Sequence, residues 1–177
     1  MAILETENLK KIYASGAGEG RALDGINMSV ETGELVAVVG SSGSGKSTLL
    51  HMLGGLDRPT SGKVFVDDRD IFSLKDEALT IFRRRKIGFV FQAYNLVPVL
   101  NVYENIVLPV ELDGRKIDSK YISSVTEMLG ISSKLENLPG QLSGGERWRR
   151  SLRSCCAMSL LETSTAGRHR MCWGCLR

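Results

Sequence analysis

The stretch Gly40-Ser41-Ser42-Gly43-Ser44-Gly45-Lys46-Ser47-Thr48 decides the fold prediction for this chain of 177 residues. It matches the phosphate-binding loop pattern GxxxxGK[ST] in full, and its three glycines let the backbone approach a ligand closely. Backbone N–H groups of such a loop, and the positive end of the helix that follows, point at phosphate oxygens. The sequence therefore predicts a triphosphate site at residues 40–48.

Three side chains of this loop carry most of the predicted chemistry. Lys46 is expected to reach the β- and γ-phosphate oxygens, which gives it a catalytic as well as a binding role. Ser47 is expected to ligate Mg²⁺, an ion that keeps waters and phosphate oxygens among its ligands. Thr48 is expected to contact the α-phosphate. All nine residues from Gly40 to Thr48 are candidate nucleotide contacts.

The residues around the loop predict the context in which such a loop works. Leu35-Val36-Ala37-Val38-Val39 is a continuous apolar run between turns, which predicts a strand buried on both faces of a parallel sheet. A helix pattern runs from Lys46 to about Leu56. The alternative is a glycine- and serine-rich loop that contains a lysine by chance, and the order of strand, loop and helix argues against it.

Apolar periodicity predicts the remaining elements. Alternating or continuous apolar stretches predict strands at 3–9, 26–30, 63–66 and 87–91. Helical spacing predicts helices at 76–85, 102–112 and 120–129. Residues 14–20 are rich in glycine and alanine and are expected to form a loop. This alternation of strands and helices favours an α/β domain with a helical insertion.

Composition and charge exclude several classes of protein. Hydrophobic residues make up 42% and charged residues 24% of the chain, which excludes a collagen, a coiled coil and a fully disordered chain. No apolar run approaches the ~20 residues that span a bilayer, and residues 1–7 do not form a secretion signal. The expected location is the cytoplasm. A net charge of +3 is too small to indicate nucleic acid binding.

Residue usage changes abruptly after Glu146. Residues 1–146 carry 16 Lys and Arg against 19 Asp and Glu, whereas residues 147–177 carry 7 Arg against one Glu. All nine Lys lie before this point, and all four Cys and both Trp lie after it. The last 31 residues therefore form a tail whose composition differs from that of the rest of the chain.

Two motifs further along the chain identify a family. Gln92 directly follows the apolar stretch 87–91, and Leu142-Ser143-Gly144-Gly145-Glu146 comes about 100 residues after the phosphate loop. Together with that loop they resemble the Q-loop and the LSGGQ signature of ABC-type ATPases, the nucleotide-binding subunits of transporters. The resemblance covers about residues 3–146. It implies an α/β fold with a P-loop NTPase core, an antiparallel β subdomain and a helical insertion, incomplete in this chain.

The resemblance also implies roles for residues outside the loop. Tyr13 corresponds to the aromatic residue that stacks on adenine, with a core tyrosine as the alternative. Gln92 corresponds to the catalytic glutamine that contacts Mg²⁺ or the attacking water, with a polar residue at a strand end as the alternative. Ser143, Gly144 and Gly145 correspond to the signature that contacts the γ-phosphate held by another subunit. The implied cofactors are ATP and Mg²⁺.

The resemblance further implies two partners. ABC-type subunits pair head to tail, so that ATP lies between the phosphate loop of one and the signature of the other. They act on a separate membrane permease, which places them peripherally at the inner face of the cell membrane. The stretches 55–62 and 91–96 are similar to the lipoprotein-releasing and the macrolide- or peptide-exporting groups. The implied function is ATP-driven transport through the permease, with no nucleic acid partner.

The family pattern stops after Glu146. The tail contains no apolar strand that ends in Asp-Glu and no switch histidine in the expected context, and Glu162 is its one acidic residue. Because phosphoryl transfer needs a held metal and a positioned water, hydrolysis by this chain is expected to be very slow. The strand expected beside residues 35–39 is also missing, which leaves a sheet edge unpaired. A non-hydrolysing nucleotide-binding partner and a non-functional fragment are the alternative functions.

Three interpretations of the tail stay open. The first is an out-of-frame translation that begins just after the signature. The second is a diverged end in which residues 151–161 form a helix. The third is a metal site at Cys172 and Cys175, although the other two tail cysteines are adjacent and lack the usual spacing of zinc ligands. The predicted organisation is a partial nucleotide-binding domain at 1–146, with its helical subdomain at about 95–146, and an atypical tail at 147–177.

Overall fold

The computed structural model describes residues 2–15, 18–90, 96–142 and 171–174. The chain divides after Arg83 into two units, residues 1–83 and residues 84–177. Among the described residues, no helix is both long enough and apolar enough to cross a membrane.

A four-stranded antiparallel sheet forms the body of the first unit. Its strands are Ala2–Ser15 (β1), Gly18–Glu31 (β2), Ser61–Val66 (β3) and Arg69–Asp70 (β4). In space they lie in the order β2-β1-β3-β4. The strands predicted at 3–9, 26–30 and 63–66 are confirmed. Val64 and Val66 are buried while Phe65 between them is partly exposed, as the two-residue period of a strand requires.

Strands β1 and β2 pair along most of their length, which corrects the loop predicted at 14–20. Their pairing continues through Tyr13 opposite Gly20 as far as Ser15 opposite Gly18. Strand propensity depends on the neighbouring ladder more than on the residue itself, so a long hairpin carries small residues into its end. The connection between the two strands is therefore shorter than the loop at 14–20 that the glycine and alanine content had predicted.

Two helices begin in the first unit, Lys46–Leu53 (α1) and Asp76–Lys86 (α2). Helix α1 is shorter than predicted because it ends at Gly54, and Gly55 follows with a positive φ of 62°. A short 3-10 helix, Ile71–Ser73, precedes α2. The most deeply buried apolar side chains of this unit come from the sheet, α1 and the 3-10 helix: Leu4, Leu9, Met52, Leu53, Val64, Val66 and Ile71.

The run 35–39 does not form the predicted buried strand. Its residues have no regular secondary structure, and Leu35 and Val39 expose 97% and 87% of their surfaces. High strand propensity is not sufficient, because a strand needs a neighbour for its hydrogen bonds and a surface to cover its side chains. None of the strands that the structure describes pairs with this run.

The second unit combines a short parallel pair of strands with two helices in its described part. Ile87–Val90 (β5) pairs in parallel with Met171–Gly174 (β6), so the strand predicted at 87–91 is confirmed over four residues. Helices Val102–Leu112 (α3) and Ser119–Met128 (α4) confirm the helices predicted at 102–112 and 120–129. A small buried apolar cluster is formed by residues of these two helices together with Ile131, which follows α4: Val102, Ile106, Val107, Ile122 and Ile131.

Side chains cap the starts of both helices. Asn101 accepts a hydrogen bond from the N–H of Glu104 at 2.8 Å, and the Glu104 carboxylate accepts one from the N–H of Asn101 at 2.7 Å. Asp118 accepts from the N–H of Tyr121 at 3.0 Å. Because these caps satisfy N–H groups that have no partner inside a helix, they fix where α3 and α4 begin. Two 3-10 helices, Ser132–Lys134 and Pro139–Gln141, follow α4.

Candidate phosphate-binding site

The predicted phosphate loop lies at the surface and leads directly into α1. Ser41, Ser42 and Ser44 are exposed, and the N–H of Ser44 donates to the carbonyl oxygen of Ser41 at 3.3 Å. The loop therefore turns back on itself in front of the helix. Gly45 is the last residue before α1 and forms the N-cap of that helix.

Gly45 is a position where only glycine fits. Its φ is 88°, in the left-handed region that side chains disfavour. A Cβ at this position would also overlap the backbone carbonyl oxygen of Ala22 in β2. The loop is consequently pressed against the β1–β2 hairpin, and a side chain here would push it away.

The start of α1 has the electrostatic character of an anion site. Its N-cap is a glycine, which has no side chain to accept from the first-turn N–H groups, and its first turn contains no acidic residue. Helix α2, in contrast, begins with Asp76 and Glu77. Because the first turn of α1 contributes no carboxylate of its own, this end of the helix suits a negatively charged ligand.

Lys46 adds a full positive charge to the same place. Its Nζ donates to the carbonyl oxygens of Gly40 and Ser41 at 2.8 and 2.6 Å, and lies 3.4 Å from the Ser44 hydroxyl oxygen. The side chain thus folds back over the loop from the first position of α1. This geometry keeps the ammonium group within the loop, where phosphate oxygens would be recognised.

Ser47 and Thr48 occupy the first turn of α1 after Lys46. Ser47 is exposed, and Thr48 is partly buried. Both hydroxyl groups are hard oxygen donors of the kind that Mg²⁺ and phosphate use. The structure therefore brings all nine residues of the predicted loop, from Gly40 to Thr48, to one helix start.

Tyr13 reaches the neighbourhood of this loop through the register of the hairpin. It pairs with Gly20 on β2, two residues before Ala22, whose carbonyl oxygen packs against Gly45. The side chain exposes 44% of its surface, which argues against the alternative of a core tyrosine. An exposed aromatic ring on the hairpin that packs against Gly45 fits the predicted stacking on a base.

Sequence reasoning missed Asp57, which contacts Tyr13. The Tyr13 hydroxyl donates to Asp57 Oδ2 at 3.1 Å, and Lys11 Nζ donates to Asp57 Oδ1 at 2.9 Å. The hydrogen bond from Lys11, followed by those from the Arg58 N–H and Tyr13, holds the pKa of Asp57 below its ordinary value of 3.8. No pattern near Asp57 indicates this role, because its partners lie more than 40 residues earlier in the chain.

The other predicted site residues lie outside the described residues, as does the tail apart from β6. They are Gln92, Ser143, Gly144 and Gly145.

The described segment that follows Gln92 begins at residue 96 and is held by Asn105. The buried amide of Asn105 accepts from the N–H of Val97 at 2.8 Å and donates to the carbonyl oxygens of Val97, Leu100 and Asn101 at 2.9–3.1 Å. An asparagine on the buried face of α3 is the signal that could have revealed this anchor.

Comparison with known proteins adds a family to this geometry. The profile of the family described as ABC transporter matches residues 23–160, which is most of the chain and runs past Glu146. The chain is 48% identical over 151 residues to the lipoprotein-releasing system ATP-binding protein LolD of Syntrophotalea carbinolica. That match covers 84% of this chain and 66% of LolD, so the chain spans slightly less than two thirds of this relative's length.

Solved structures agree with the family match. A dimeric structure of MJ0796, a bacterial ABC transporter cassette, is 37% identical, with a TM-score of 0.81, and the match covers 88% of this chain and 69% of the cassette. A post-hydrolysis dimer of MJ0796, bound to ADP and Pi, is 30% identical, with a TM-score of 0.85 and coverage of 98% and 88%. The predicted fold class, an ABC ATPase-like α/β fold with an antiparallel β sheet and helices, is confirmed.

Proposed function

The chain belongs to the ABC transporter family, and we propose that it is an ATP-binding subunit that couples ATP to transport through a separate membrane permease. The observation that carries this proposal is the phosphate loop at the start of α1. Its glycine backbone, the absence of an acidic side chain in the first turn, and the Lys46 ammonium group come together there. The similarity to LolD supports the same assignment.

In this proposal residues 40–48 hold the triphosphate. N–H groups of the loop and of the first turn of α1 donate to phosphate oxygens, and the partial positive charge of the helix start favours the anion. Lys46 carries up to three N–H donors and a full charge, and it is the residue assigned to the β- and γ-phosphates. Thr48 is assigned to the α-phosphate, and Tyr13 to the base.

The same residues suit Mg²⁺. Magnesium takes oxygen ligands and usually keeps waters and substrate phosphate oxygens among them. The Ser47 hydroxyl group is one such ligand, and the amide oxygen of Gln92 is proposed as another. Within the described residues no group of three or more His, Cys, Asp or Glu could hold a metal. When bound, the ion neutralises charge on the phosphates.

The proposed partners are a second nucleotide-binding subunit and the permease. Ser143, Gly144 and Gly145 form the proposed contact with the γ-phosphate held by the second subunit, in a head-to-tail pair. The MJ0796 cassette, which is similar to this chain, has been solved as a dimer. The permease would place the chain at the inner face of the cell membrane, and no nucleic acid takes part.

The proposed domain organisation follows the motifs. Residues 1–146 form a partial nucleotide-binding domain whose helical subdomain occupies about 95–146, and residues 147–177 form the tail.

The experiment that tests the proposal is calorimetric titration of the 177-residue chain with ATP and Mg²⁺. The Lys46→Ala variant should lose at least about tenfold in affinity, because a charge-assisted contact to the phosphates is removed. Lys75→Ala, which removes an exposed lysine outside the loop, is the matched control and should bind like the wild type. Equal affinity of the Lys46→Ala variant and the wild type would contradict the proposal.

A further inference from the structure

The Tyr13 ring is fixed in place although it is half exposed. Its hydroxyl group donates to Asp57 Oδ2 at 3.1 Å, and Lys11 Nζ lies 5.0 Å from the ring centroid, within the range of a cation–π contact. The Lys11 side chain itself is only 13% exposed. Two contacts therefore restrict the orientation of the ring, although Tyr13 as a residue is 44% exposed.

Asp57 is held by groups other than Tyr13. Lys11 Nζ lies 2.9 Å from Asp57 Oδ1 and 2.9 Å from Oδ2, and the N–H of Arg58 donates to Oδ1 at 2.8 Å. These donors stabilise the ionised carboxylate and hold its pKa below the ordinary value. The acceptor for the Tyr13 hydroxyl is therefore an anion at neutral pH, so the hydrogen bond is charge-assisted.

The segment that carries Asp57 is also tied to the strand that carries Tyr13. The N–H of Thr60 donates to the carbonyl oxygen of Lys10 at 2.9 Å, and the Thr60 hydroxyl oxygen accepts from the N–H of Ile12 at 3.0 Å. On the other side, Arg58 Nη2 bonds to Asp76 Oδ1 at 2.6 Å. The residues that follow Asp57 are thus anchored both to β1 and to the first turn of α2.

Helix α1 connects this arrangement to the phosphate loop. The helix begins at Lys46 and is capped at Gly54, three residues before Asp57. At a rise of 1.5 Å per residue, its eight residues span about 12 Å. The phosphate loop therefore lies at the first turn of this short helix. Asp57, which supports the Tyr13 ring, lies just after its last turn.

From this arrangement we propose that Asp57 is a positioning residue that orients the Tyr13 ring for stacking on the base of the nucleotide. Asp57 acts through Tyr13 and contacts no phosphate. It raises the affinity for a nucleoside triphosphate and leaves the affinity for a bare triphosphate unchanged. The inference rests on the proposed function, because it takes residues 40–48 as the phosphate site.

The test compares ATP with inorganic tripolyphosphate, which has the phosphates but no base, as ligands of the 177-residue chain. Calorimetry is run on the wild type and on Asp57→Ala, Tyr13→Phe, Tyr13→Ala and the Asp57→Ala/Tyr13→Ala double variant. Asp68→Asn is the control, since it removes an exposed carboxylate in the turn after β3. Circular dichroism of each variant measures folding separately.

The expected result is a loss of about tenfold in ATP affinity for Asp57→Ala, with tripolyphosphate affinity unchanged, because base stacking on an aromatic ring has effects of this size. Tyr13→Phe, which keeps the ring and loses only the hydroxyl, should show a smaller loss for ATP alone. The double variant should lose no more than Tyr13→Ala, because the two residues act as one unit.

Three outcomes would overturn the inference. ATP affinity that is unchanged in Asp57→Ala and in Tyr13→Phe would mean that the hydrogen bond does not position the ring. Equal losses for ATP and tripolyphosphate in Asp57→Ala would show a general structural role. Additive losses in the double variant would show that Asp57 acts independently of Tyr13. A wild-type chain that binds neither ligand would instead contradict the proposed function.

Discussion

Gly45 shows how a single residue shapes the site. Its φ of 88° and its contact with the carbonyl oxygen of Ala22 both exclude a side chain. Gly45→Ala should therefore lower the free energy of unfolding by about 1–3 kcal/mol and weaken ATP binding, because the loop must move away from β2. Denaturant unfolding and calorimetry measure the two effects.

Gly33→Ala is the matched control for this prediction. Gly33 has a similar φ of 83°, but a Cβ there would meet nothing within 4 Å. Gly33→Ala should lower the free energy of unfolding only by the cost of a side chain at positive φ, and it should leave ATP binding unchanged. If the two variants have the same stability and the same ATP affinity, packing of the loop against β2 is unimportant.

We expect the Asp57 carboxylate to make the free energy of unfolding depend on pH. The hydrogen bond from Lys11 lowers the pKa of Asp57 in the folded chain, so its stabilising effect is complete above the ordinary pKa and is lost as pH falls through the lowered one. Asp57→Asn should be less stable than the wild type at pH 7, by less than about 1 kcal/mol because the side chain is 38% exposed. A difference in unfolding free energy that stays constant down to pH 2 would contradict this origin.

Among residues, the turn that leads through Gly45 into α1 was predictable and the contact made by Asp57 was not. The loop pattern encodes a local backbone path, and the glycine with the excluded side chain is part of that pattern. The contact between Tyr13 and Asp57 joins residues 44 positions apart, and it depends on how β1 meets the end of α1. No local feature of the sequence contains that information.

At the scale of elements, the exposed run 35–39 predicts self-association. Leu35 and Val39 form no strand and lie almost fully in water, so apolar surface is open to another copy of the chain. Replacing both by Lys should reduce association in sedimentation velocity and change the unfolding free energy by less than about 0.5 kcal/mol. Met128→Lys replaces a single exposed apolar residue on α4 and serves as the control. It should leave both the association and the unfolding free energy unchanged.

The stability of the variant with both lysines also tests whether residues 35–39 are exposed or form a buried strand. Marked destabilisation by the two lysines would contradict the exposure of this run and indicate that residues 35–39 form a buried strand.

Strands 26–30 and 63–66 were predictable from the sequence. In each, apolar and polar residues alternate, and the strand pairs with β1 in the antiparallel sheet. A run buried on both faces needs neighbours from elsewhere in the chain, and pattern alone does not supply them.

At the scale of the whole molecule, the signature predicts a dimer that depends on ATP. Ser143→Arg should leave ATP binding to the phosphate loop intact, because that loop belongs to the same chain. It should prevent dimerisation with ATP, since a bulky side chain in the signature would block the proposed contact with the γ-phosphate of the second subunit. Size-exclusion chromatography with light scattering, with and without ATP, measures this. Normal ATP-dependent dimerisation of the variant would contradict the head-to-tail arrangement.

The central claim is that residues 40–48 hold the phosphates of a nucleotide at the start of α1, and ¹H–¹⁵N chemical shifts test it most directly. The chain is titrated with ATP and Mg²⁺ while its backbone amides are followed. The account predicts the largest shift changes at residues 43–48, followed by those around Tyr13. Changes concentrated elsewhere in the chain, or none at saturating ATP, would contradict it.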